Sequence, residues 1–272
     1  MELIRYANDI RIRAVDAIYH AQSGHPGGSL SCADILAVLY GRVLNLRPQE
    51  PRWPDRDRFV LSKGHAAPAY YAALALRGFF PVEALRRLRQ ADSFLQGHPC
   101  MVKVPGVDMS SGSLGQGLSA ANGMALVAKA QGRAYRSYCL VGDGEMQEGQ
   151  FWEAAMSAAH YALDALTLLV DNNGLQIDGR VSGVMNLLPI APKLRAFGWH
   201  VREVDGHDTQ ALLDALGEAR AHSGAPSAIV CRTVKGKGVP YMENQAGWHG
   251  AVPNDAQYRQ AMEALGVEGG RL

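Results

Sequence analysis

Asp143, which has a glycine on each side, directly follows the apolar run "RSYCLVG". The next apolar run, "ALTLLVD", is followed by Asn172 and Asn173. Both runs are predicted strands, and in an open parallel sheet ligands bind beyond the carboxyl ends of the strands. Since adjacent strands lie about 4.8 Å apart, the Asp143 carboxylate and the Asn173 amide oxygen could reach one cation. With a backbone carbonyl they would form an oxygen site suited to Mg²⁺ or Ca²⁺.

The glycines beside Asp143 indicate what such a cation would hold. Gly142 and Gly144 let backbone N–H groups approach a ligand closely, and the following helix adds its positive end. A carboxylate alone would repel a diphosphate, whereas a divalent cation between them attracts one. An ordinary strand-to-helix turn is the competing interpretation of GDG alone, and the second polar cluster favours the cation site. The sequence contains no P-loop motif, and "GSLGQG" lacks the strand and spacing of a dinucleotide fingerprint.

Four of the nine histidines lie in loops that carry glycine: His25, His65, His98 and His249. One such histidine is usually a surface residue, but four suggest a shared role. Histidine can donate hydrogen bonds to phosphate or sugar hydroxyl groups and can move protons near neutral pH. Because their spacing fits no metal triad, we predict ligand contacts and proton transfer for this group.

The remaining elements predict an α/β fold that would position these groups. The predicted helices are 3–22, 32–44 with Ser31 as its cap, 66–77, 82–90, 114–131, 148–163, 191–197, 208–222 and 254–265. The predicted strands are 58–62, 136–142, 165–171, 199–204 and 227–234. Apolar strands that alternate with helices indicate a parallel sheet with helices on both faces. No linker stands out, so we predict one domain over 1–272.

Composition narrows the class of protein. Lysine plus arginine (27) nearly balance aspartate plus glutamate (26), which argues against nucleic acid as a partner. Cys32, Cys100, Cys139 and Cys231 form no CxxC pair, which favours reduced thiols over disulfides or zinc. The N-terminal residues lack a signal-peptide core, and no apolar stretch reaches membrane-spanning length. We therefore expect a cytoplasmic protein without a membrane partner.

The motifs, taken in their order along the chain, resemble transketolase. GDG followed about thirty residues later by NN resembles the thiamine diphosphate motif. The segments that carry the resemblance are "SGHPGGSLS", "SKGHAAPAYY", "GHP", "SSGSLGQGLS", "GDGEMQEGQFWEAA", "DNNGLQIDG" and "TVKGKGVPYMENQAGWHG". They cover essentially the whole chain. The two-component 2-oxo acid dehydrogenases share GDG and NN but are not expected to carry the SGHPG and GWHG loops.

The resemblance implies a cofactor, thiamine diphosphate, and a metal, Mg²⁺ or Ca²⁺. The implied metal ligands are Asp143, Asn173 and the backbone carbonyl of Leu175. The residues implied at the cofactor are His65, Gly112, Ser113, Leu114, Gly142, Asp143, Gly144, Glu145, Asn173, Ile177 and His249. Within that set, Leu114 and Ile177 would pack on the thiazolium ring. His65, Gly144 and His249 would contact the diphosphate.

The resemblance also implies catalytic residues. His25, His98 and His249 would face the hydroxyl groups of the donor sugar and assist proton transfer. Glu148 resembles the acid that, in the family, lies between the two cofactor sites. Ser113 stands where the family commonly has proline, beside the thiazolium. The implied reaction moves a two-carbon ketol unit from a ketose or ketose phosphate to an aldose acceptor, as in the pentose phosphate pathway.

Chain length modifies this expectation. Transketolase is normally more than twice as long, and its activating glutamate lies in a second domain that this sequence does not include. We therefore expect the diphosphate-binding subunit of a two-component transketolase. The partner chain would supply the pyrimidine-binding and C-terminal domains, and a two-fold pair of shared sites would give an α2β2 heterotetramer.

Three alternatives remain open. The first is a specialised ketol transferase with a non-phosphorylated or biosynthetic substrate, because the phosphate-binding side chains would mostly belong to the partner. The second is a non-catalytic cofactor-binding sensor or scaffold, which the presence of Asp143, Asn173 and all four loop histidines disfavours. The third is a stand-alone Mg²⁺-dependent phosphohydrolase that uses Asp143 and water. This last alternative lacks a convincing second catalytic carboxylate or nucleophile.

Overall fold

A sheet of five parallel strands lies at the centre of the structure, a computed structural model that describes residues 2–270 and Leu272. Its strands are β1 Arg58–Leu61, β2 Ser137–Gly142, β3 Leu166–Asn172, β6 His200–Asp205 and β7 Ser227–Arg232. They are ordered β1-β2-β3-β7-β6. The remaining strands, β4 Leu175–Gln176 and β5 Gly179–Arg180, form a short antiparallel pair. The predicted parallel sheet is confirmed.

Helices connect the strands and cover the sheet. They are α1 Leu3–Ala21, α2 Pro26–Ser31, α3 Ala33–Val38, α4 Ala67–Leu76, α5 Gly117–Gln131, α6 Gly149–His160, α7 Val181–Val184, α8 Ile190–Ala196, α9 Thr209–Ala221 and α10 Asp255–Ala264. A π-helical turn, Leu39–Val43, continues α3. Short 3₁₀ turns occur at Gly64–Ala66, Val82–Arg87, Gly144–Gln147, Ala246–His249 and Glu268–Gly270.

The hydrophobic core has a layer on each face of the sheet, as predicted. On β2, Leu140 packs in the layer that includes side chains of α1, α3, α4 and α9. Its neighbours Cys139 and Val141 pack in the opposite layer, with α5, α6 and α8. A third cluster joins α10 to α1 and the segment around Val239. Because both faces are buried, the strands read as continuous apolar runs rather than alternating ones.

The structure corrects three sequence-based boundaries. Ser31 does not cap the second helix; it ends α2, and Cys32 precedes α3, because Pro26 can start a helix directly after His25. The predicted helix 82–90 is a 3₁₀ turn that ends at Arg87. The predicted helix 114–131 begins only at Gly117.

Other features bear on the predicted class of protein. All four cysteines are unpaired; Cys100 is half-buried and the other three are buried. Within the described residues, no helix is both long and apolar enough to cross a membrane.

The strand order places the two polar clusters side by side. β2 and β3 are direct neighbours, with Gly142 in register with Asp171. The backbone N–H of Asp143 donates to the Asp171 carbonyl at 3.2 Å, which continues the pairing one residue past β2. Asp143 and Asn173 therefore leave the same edge of the sheet on adjacent strands, as their positions in the sequence predicted.

Candidate functional site

A cavity of about 210 Å³ opens at the carboxyl ends of β2 and β3. Its lining residues are Gly28, Lys63, His65, Leu114, Gly142, Asp143, Gly144, Glu145, Gln147, Glu148, Asn173, Leu175, Gln176, Ile177, Asp178, Lys235 and His249. Most of the predicted site residues are among them. The others are Gly112, Ser113, His25 and His98. A Cβ added to Gly112 would meet the His98 ring at 3.0 Å, so these two residues are in direct contact.

The Asp143 side chain is buried at the base of this cavity, with 2% of the residue exposed. One carboxylate oxygen accepts a hydrogen bond from the Gly144 N–H at 2.8 Å, and the other accepts from the Gly174 N–H at 2.5 Å. Burial and the charge of Asp171 raise the pKa of Asp143 to about 6 although both N–H groups oppose the shift. The surroundings therefore leave this carboxylate short of positive charge, which a bound cation would supply.

Residues with neutral oxygen atoms line the same cavity as Asp143. The Asn173 side-chain oxygen accepts from the Leu175 N–H at 3.1 Å, and the Leu175 carbonyl lies 3.4 Å from Lys235 Nζ. Gln176 Oε1 is buried without a hydrogen-bond partner. A carboxylate, an amide oxygen and a carbonyl are the hard ligands that Mg²⁺ and Ca²⁺ take. The donor set, together with the unpartnered oxygen, fits a divalent cation. In residues 2–270 and Leu272, no cluster of three or more His, Cys, Asp or Glu offers another metal site.

The four loop histidines, which the sequence scatters over more than two hundred residues, converge beside the cavity. The His25 ring centroid lies 5.4 Å from those of His65 and His249 and 6.4 Å from that of His98. His65 and His249 are 5.0 Å apart. These four residues, the histidine cluster, are close enough together to contact one ligand.

Burial keeps these histidines neutral. It is the largest cause that lowers the pKa of His25 to about 4, with the charge of Arg89 next. It also lowers the pKa of His249 to about 3, with Lys235 as the second cause. The pKa values of His65 and His98 are lowered in the same direction. Neutral rings can both donate and accept hydrogen bonds, so the cluster can hold hydroxyl groups and move a proton between them.

Two lysines in the site were missed by the sequence analysis. Lys235 is buried, and its Nζ lies 3.0 Å from His249 Nδ1; burial and the charge of Lys63 lower its pKa to about 8. Lys63 forms a buried ion pair with Asp171 and donates to the Gly28 carbonyl at 2.9 Å. The sequence feature that could have identified both lysines is a lysine followed by glycine just after a predicted strand, in "SKGH" and "VKGKG". As a sequence pattern alone, "KGKG" resembles only an incomplete P-loop.

Glu145 lies at the cavity edge, but its carboxylate has other partners. One oxygen accepts from the Ser62 hydroxyl and from the Gly115 N–H at 3.0 Å, and the other accepts from the Gly142 N–H at 3.0 Å. These bonds satisfy a carboxylate that burial would otherwise make costly. The contact of Glu145 with the cofactor stays a prediction. In the structure, its side chain joins the segments that carry Ser62, Gly115 and Gly142.

Apolar and acidic side chains border the cavity mouth. Leu114 is 38% exposed and Ile177 is 66% exposed, which leaves apolar surface for a ring or another chain to cover. Glu148 and Ser113 are exposed as well. Gly115 lies beside Glu148 with φ of +81°, and a Cβ there would come within 2.7 Å of the Glu148 Cβ. Glycine is needed at this position because both the backbone angle and the space exclude a side chain.

Replacing Lys63 with methionine is expected to lower the free energy of unfolding by about 3–5 kcal/mol, since the change leaves the buried Asp171 charge without its partner. Urea unfolding of the isolated chain measures the loss. The matched control is Arg202→Met, which removes an exposed ion pair with Glu218 and should cost less than about 1 kcal/mol. An equally small loss for Lys63→Met would show that this pair does not stabilise the floor of the site.

Residues 4–271 match the family described as transketolase, thiamine diphosphate binding domain. The chain is 44% identical, over 99% of its length, to the 6-deoxy-6-sulfo-D-fructose transketolase subunit SqwG of Clostridium sp. (strain MSTE9), and it covers 98% of that protein. It is 41% identical, over 94% of its length, to one of the subunits of the apulose-4-phosphate transketolase of Phocaeicola vulgatus, and covers 90% of that protein.

Solved structures of longer proteins also match. A transketolase from Leishmania mexicana superposes with a TM-score of 0.93 at 34% identity, over 99% of this chain and 42% of that one. A transketolase from Pichia stipitis in complex with sedoheptulose-7-phosphate gives a TM-score of 0.94 at 32% identity, over 99% of this chain and 41% of that one. The chain thus spans about two fifths of the solved transketolases that it matches.

Proposed function

Since this chain belongs to the transketolase family as a thiamine diphosphate-binding domain, we propose that it is the diphosphate- and metal-binding subunit of a two-component transketolase. The observation that carries the proposal is the cavity lined by Asp143, by Asn173 and Leu175, and by His65 and His249 of the histidine cluster. The two subunit relatives support a two-chain enzyme, because this chain covers 90% or more of each.

The proposed reaction moves a two-carbon ketol unit from a ketose or ketose phosphate donor to an aldose or aldose phosphate acceptor, as in the pentose phosphate pathway. The proposed partner is a C-terminal transketolase subunit with the pyrimidine-binding and C-terminal domains. Two copies of each chain would form an α2β2 heterotetramer with shared sites. We further propose that residues 1–272 act as one domain and that the complex works in the cytoplasm.

The metal and the diphosphate would be held at the base of the cavity. Asp143, the Asn173 amide oxygen and the Leu175 carbonyl would bind Mg²⁺ or Ca²⁺. Gly144, which has no side chain, would let the diphosphate approach the backbone closely, and Lys235 would add positive charge there. Lys235 Nζ lies 3.4 Å from the Leu175 carbonyl. Its ammonium group is therefore close to where the cation and the phosphate oxygens would bind. The other predicted diphosphate and loop contacts are His65, Gly112, Ser113, Gly142, Glu145 and His249.

The reacting end of the cofactor would lie nearer the mouth. Thiamine diphosphate, when bound, supplies the electron sink that carbon–carbon bond cleavage requires. Leu114 and Ile177 would pack on its thiazolium ring and exclude water from it. His25, His98 and His249, kept neutral by burial, would orient the sugar hydroxyl groups and move a proton to or from them. Glu148, exposed at the rim, would face the partner chain between the two cofactor sites.

A specialised ketol transferase is the second candidate function. It is favoured by the names of the two subunit relatives, which specify 6-deoxy-6-sulfo-D-fructose and apulose 4-phosphate. The cavity residues of this chain are compatible with either candidate, because they would contact the cofactor and the reacting end of the sugar. The distinction therefore depends on the donor and acceptor that the complete complex accepts.

Ketol transfer by the purified two-chain complex tests the proposal. The complex is incubated with thiamine diphosphate, Mg²⁺, an aldose phosphate acceptor and a panel of donors that includes xylulose 5-phosphate, 6-deoxy-6-sulfo-D-fructose and apulose 4-phosphate. Mass spectrometry should detect a product two carbons longer than the acceptor, and the preferred donor separates the two candidates. Phosphate release by the isolated chain without thiamine diphosphate would instead support a phosphohydrolase. Cofactor binding without transfer to any acceptor would support a scaffold.

A further inference from the structure

His207 connects the cavity segment that carries Lys235 to a buried ion pair behind it. It lies in the turn after β6, with 14% of its side chain exposed. Its Nδ1 lies 2.7 Å from the Asp34 carboxylate, and its Nε2 accepts a hydrogen bond from the Val234 N–H at 2.9 Å. A ring nitrogen that accepts a hydrogen bond carries no proton, so the proton is on Nδ1 and points to Asp34. Both ring nitrogens are therefore used.

The Asp34 carboxylate is itself held in place. It pairs with the Arg11 guanidinium, and both side chains are 8% exposed. Burial opposes the charge on Asp34, yet the hydrogen bond from His207 and the charge of Arg11 together lower its pKa. Asp34 thus stays ionised at neutral pH and gives the His207 ring a fixed acceptor. The ring is anchored in this way to α1 and α3, two helices in the core layer on one face of the sheet.

The other end of this connection is the backbone just before Lys235. The Val234 N–H is bound by the His207 ring and follows β7 by two residues. Lys235 extends from the next residue into the cavity, where its Nζ reaches the Leu175 carbonyl and His249 Nδ1. Other bonds hold the segment from its far side, including that from the Gly236 N–H to the Gly27 carbonyl at 3.0 Å. On the near side, the Thr233 hydroxyl donates to Asp171 and the His207 ring holds the Val234 N–H, the last backbone N–H before that of Lys235.

We infer that His207 is a positioning residue for Lys235, whose contact with the diphosphate it controls by holding the Val234 N–H. This inference rests on the proposed function, because it takes the ligand of Lys235 to be the diphosphate of thiamine diphosphate. Groups that orient a metal ligand typically contribute 10- to 100-fold to metal affinity, and we take the lower end of that range for a bond that positions a lysine. Here the oriented group is a backbone N–H and, through it, the lysine that follows.

A double-mutant cycle tests the inference. His207→Leu keeps most of the side-chain volume and removes both hydrogen bonds, whereas His207→Gln can keep one acceptor and one donor. Calorimetric titration of the cofactor-free two-chain complex with thiamine diphosphate in Mg²⁺ gives the dissociation constants. We expect about tenfold weaker binding for His207→Leu and less than about threefold for His207→Gln. In a Lys235→Met background, His207→Leu should add less than about twofold, because the two residues act as one unit.

The outcomes separate the possible explanations. The same tenfold loss in the Lys235→Met background, or a lower melting temperature with unchanged affinity, would overturn the positioning role. If His207→Leu does not fold, Asp34→Asn replaces it, and a smaller loss that disappears in the Lys235→Met background is then expected. The matched control is His222→Leu, a half-buried histidine after α9, which should leave affinity unchanged. A wild-type complex that binds no thiamine diphosphate would instead refute the proposed function.

Discussion

Replacement of Asp143 with asparagine is expected to abolish metal-dependent binding of thiamine diphosphate. Asparagine keeps the size of the side chain and one oxygen that can accept from the Gly144 or Gly174 N–H. It removes the negative charge from a buried carboxylate of the cavity that is the proposed charged ligand of the cation. Because changes behind a metal ligand already cost 10- to 100-fold, loss of the charged ligand should weaken binding by more than about 100-fold. Calorimetric titration of the complex with thiamine diphosphate and Mg²⁺ measures the change.

The pH dependence of metal affinity provides an internal check of the same prediction. Asp143 has its pKa raised to about 6, so below that pH a proton occupies the carboxylate that the metal needs. Apparent Mg²⁺ affinity of the wild type should therefore fall by about tenfold for each pH unit below 6 and stay level above it. Asp143→Asn should lose this slope.

The matched control for Asp143 is Asp178→Asn, which removes a second carboxylate from the cavity wall without touching the proposed metal ligands. It should change the affinity for thiamine diphosphate by less than about threefold, because its exposed charge is screened by solvent. Wild-type affinity in the Asp143→Asn complex would refute the assignment of the metal site.

Replacement of His249 with alanine is expected to reduce turnover much more than stability. The half-buried ring lies among His25, His65 and Lys235 at the cavity. Loss of a positioned proton-transfer group typically costs 10²- to 10⁴-fold, so kcat should fall by about 100-fold or more. The melting temperature should change by only a few degrees, because the ring belongs to none of the hydrophobic clusters. Steady-state kinetics and thermal unfolding of the reconstituted complex give both quantities.

A control variant and the KM value sharpen the His249 experiment. His222→Ala removes a histidine that stacks on His200, away from the cavity, and should leave both kcat and melting temperature near those of the wild type. If His249 mainly holds the substrate, KM should rise while kcat changes little. Unchanged kinetics in the His249→Ala complex would contradict a role for this residue in the reaction.

Patterns that depend on local chain geometry were predictable from the sequence. Apolar runs that alternate with helices predicted the parallel sheet, and its carboxyl edge predicted that Asp143 and Asn173 meet. The gathering of the loop histidines was suggested by their glycine-rich loops and by the family resemblance. Apolar spacing did not predict where helices begin, because a helix start depends on backbone angles such as that of Gly115.

Long-range polar pairing could not be read from the sequence. Lys63 and Asp171 are 108 residues apart, and only the fold shows that they form a buried pair. Likewise, "KGKG" does not reveal that Lys235 is buried beside His249. The hydrogen bonds that Glu145 accepts from Ser62 and Gly115 could not be read from the sequence for the same reason.

The composition of the native complex tests the central claim most directly. Native mass spectrometry of this protein, isolated gently from its own cells, should show two copies of this chain, two copies of a second chain and two molecules of thiamine diphosphate. That result would also identify the partner for the ketol-transfer assay. A single chain or a homodimer with neither cofactor nor companion would contradict the two-component enzyme.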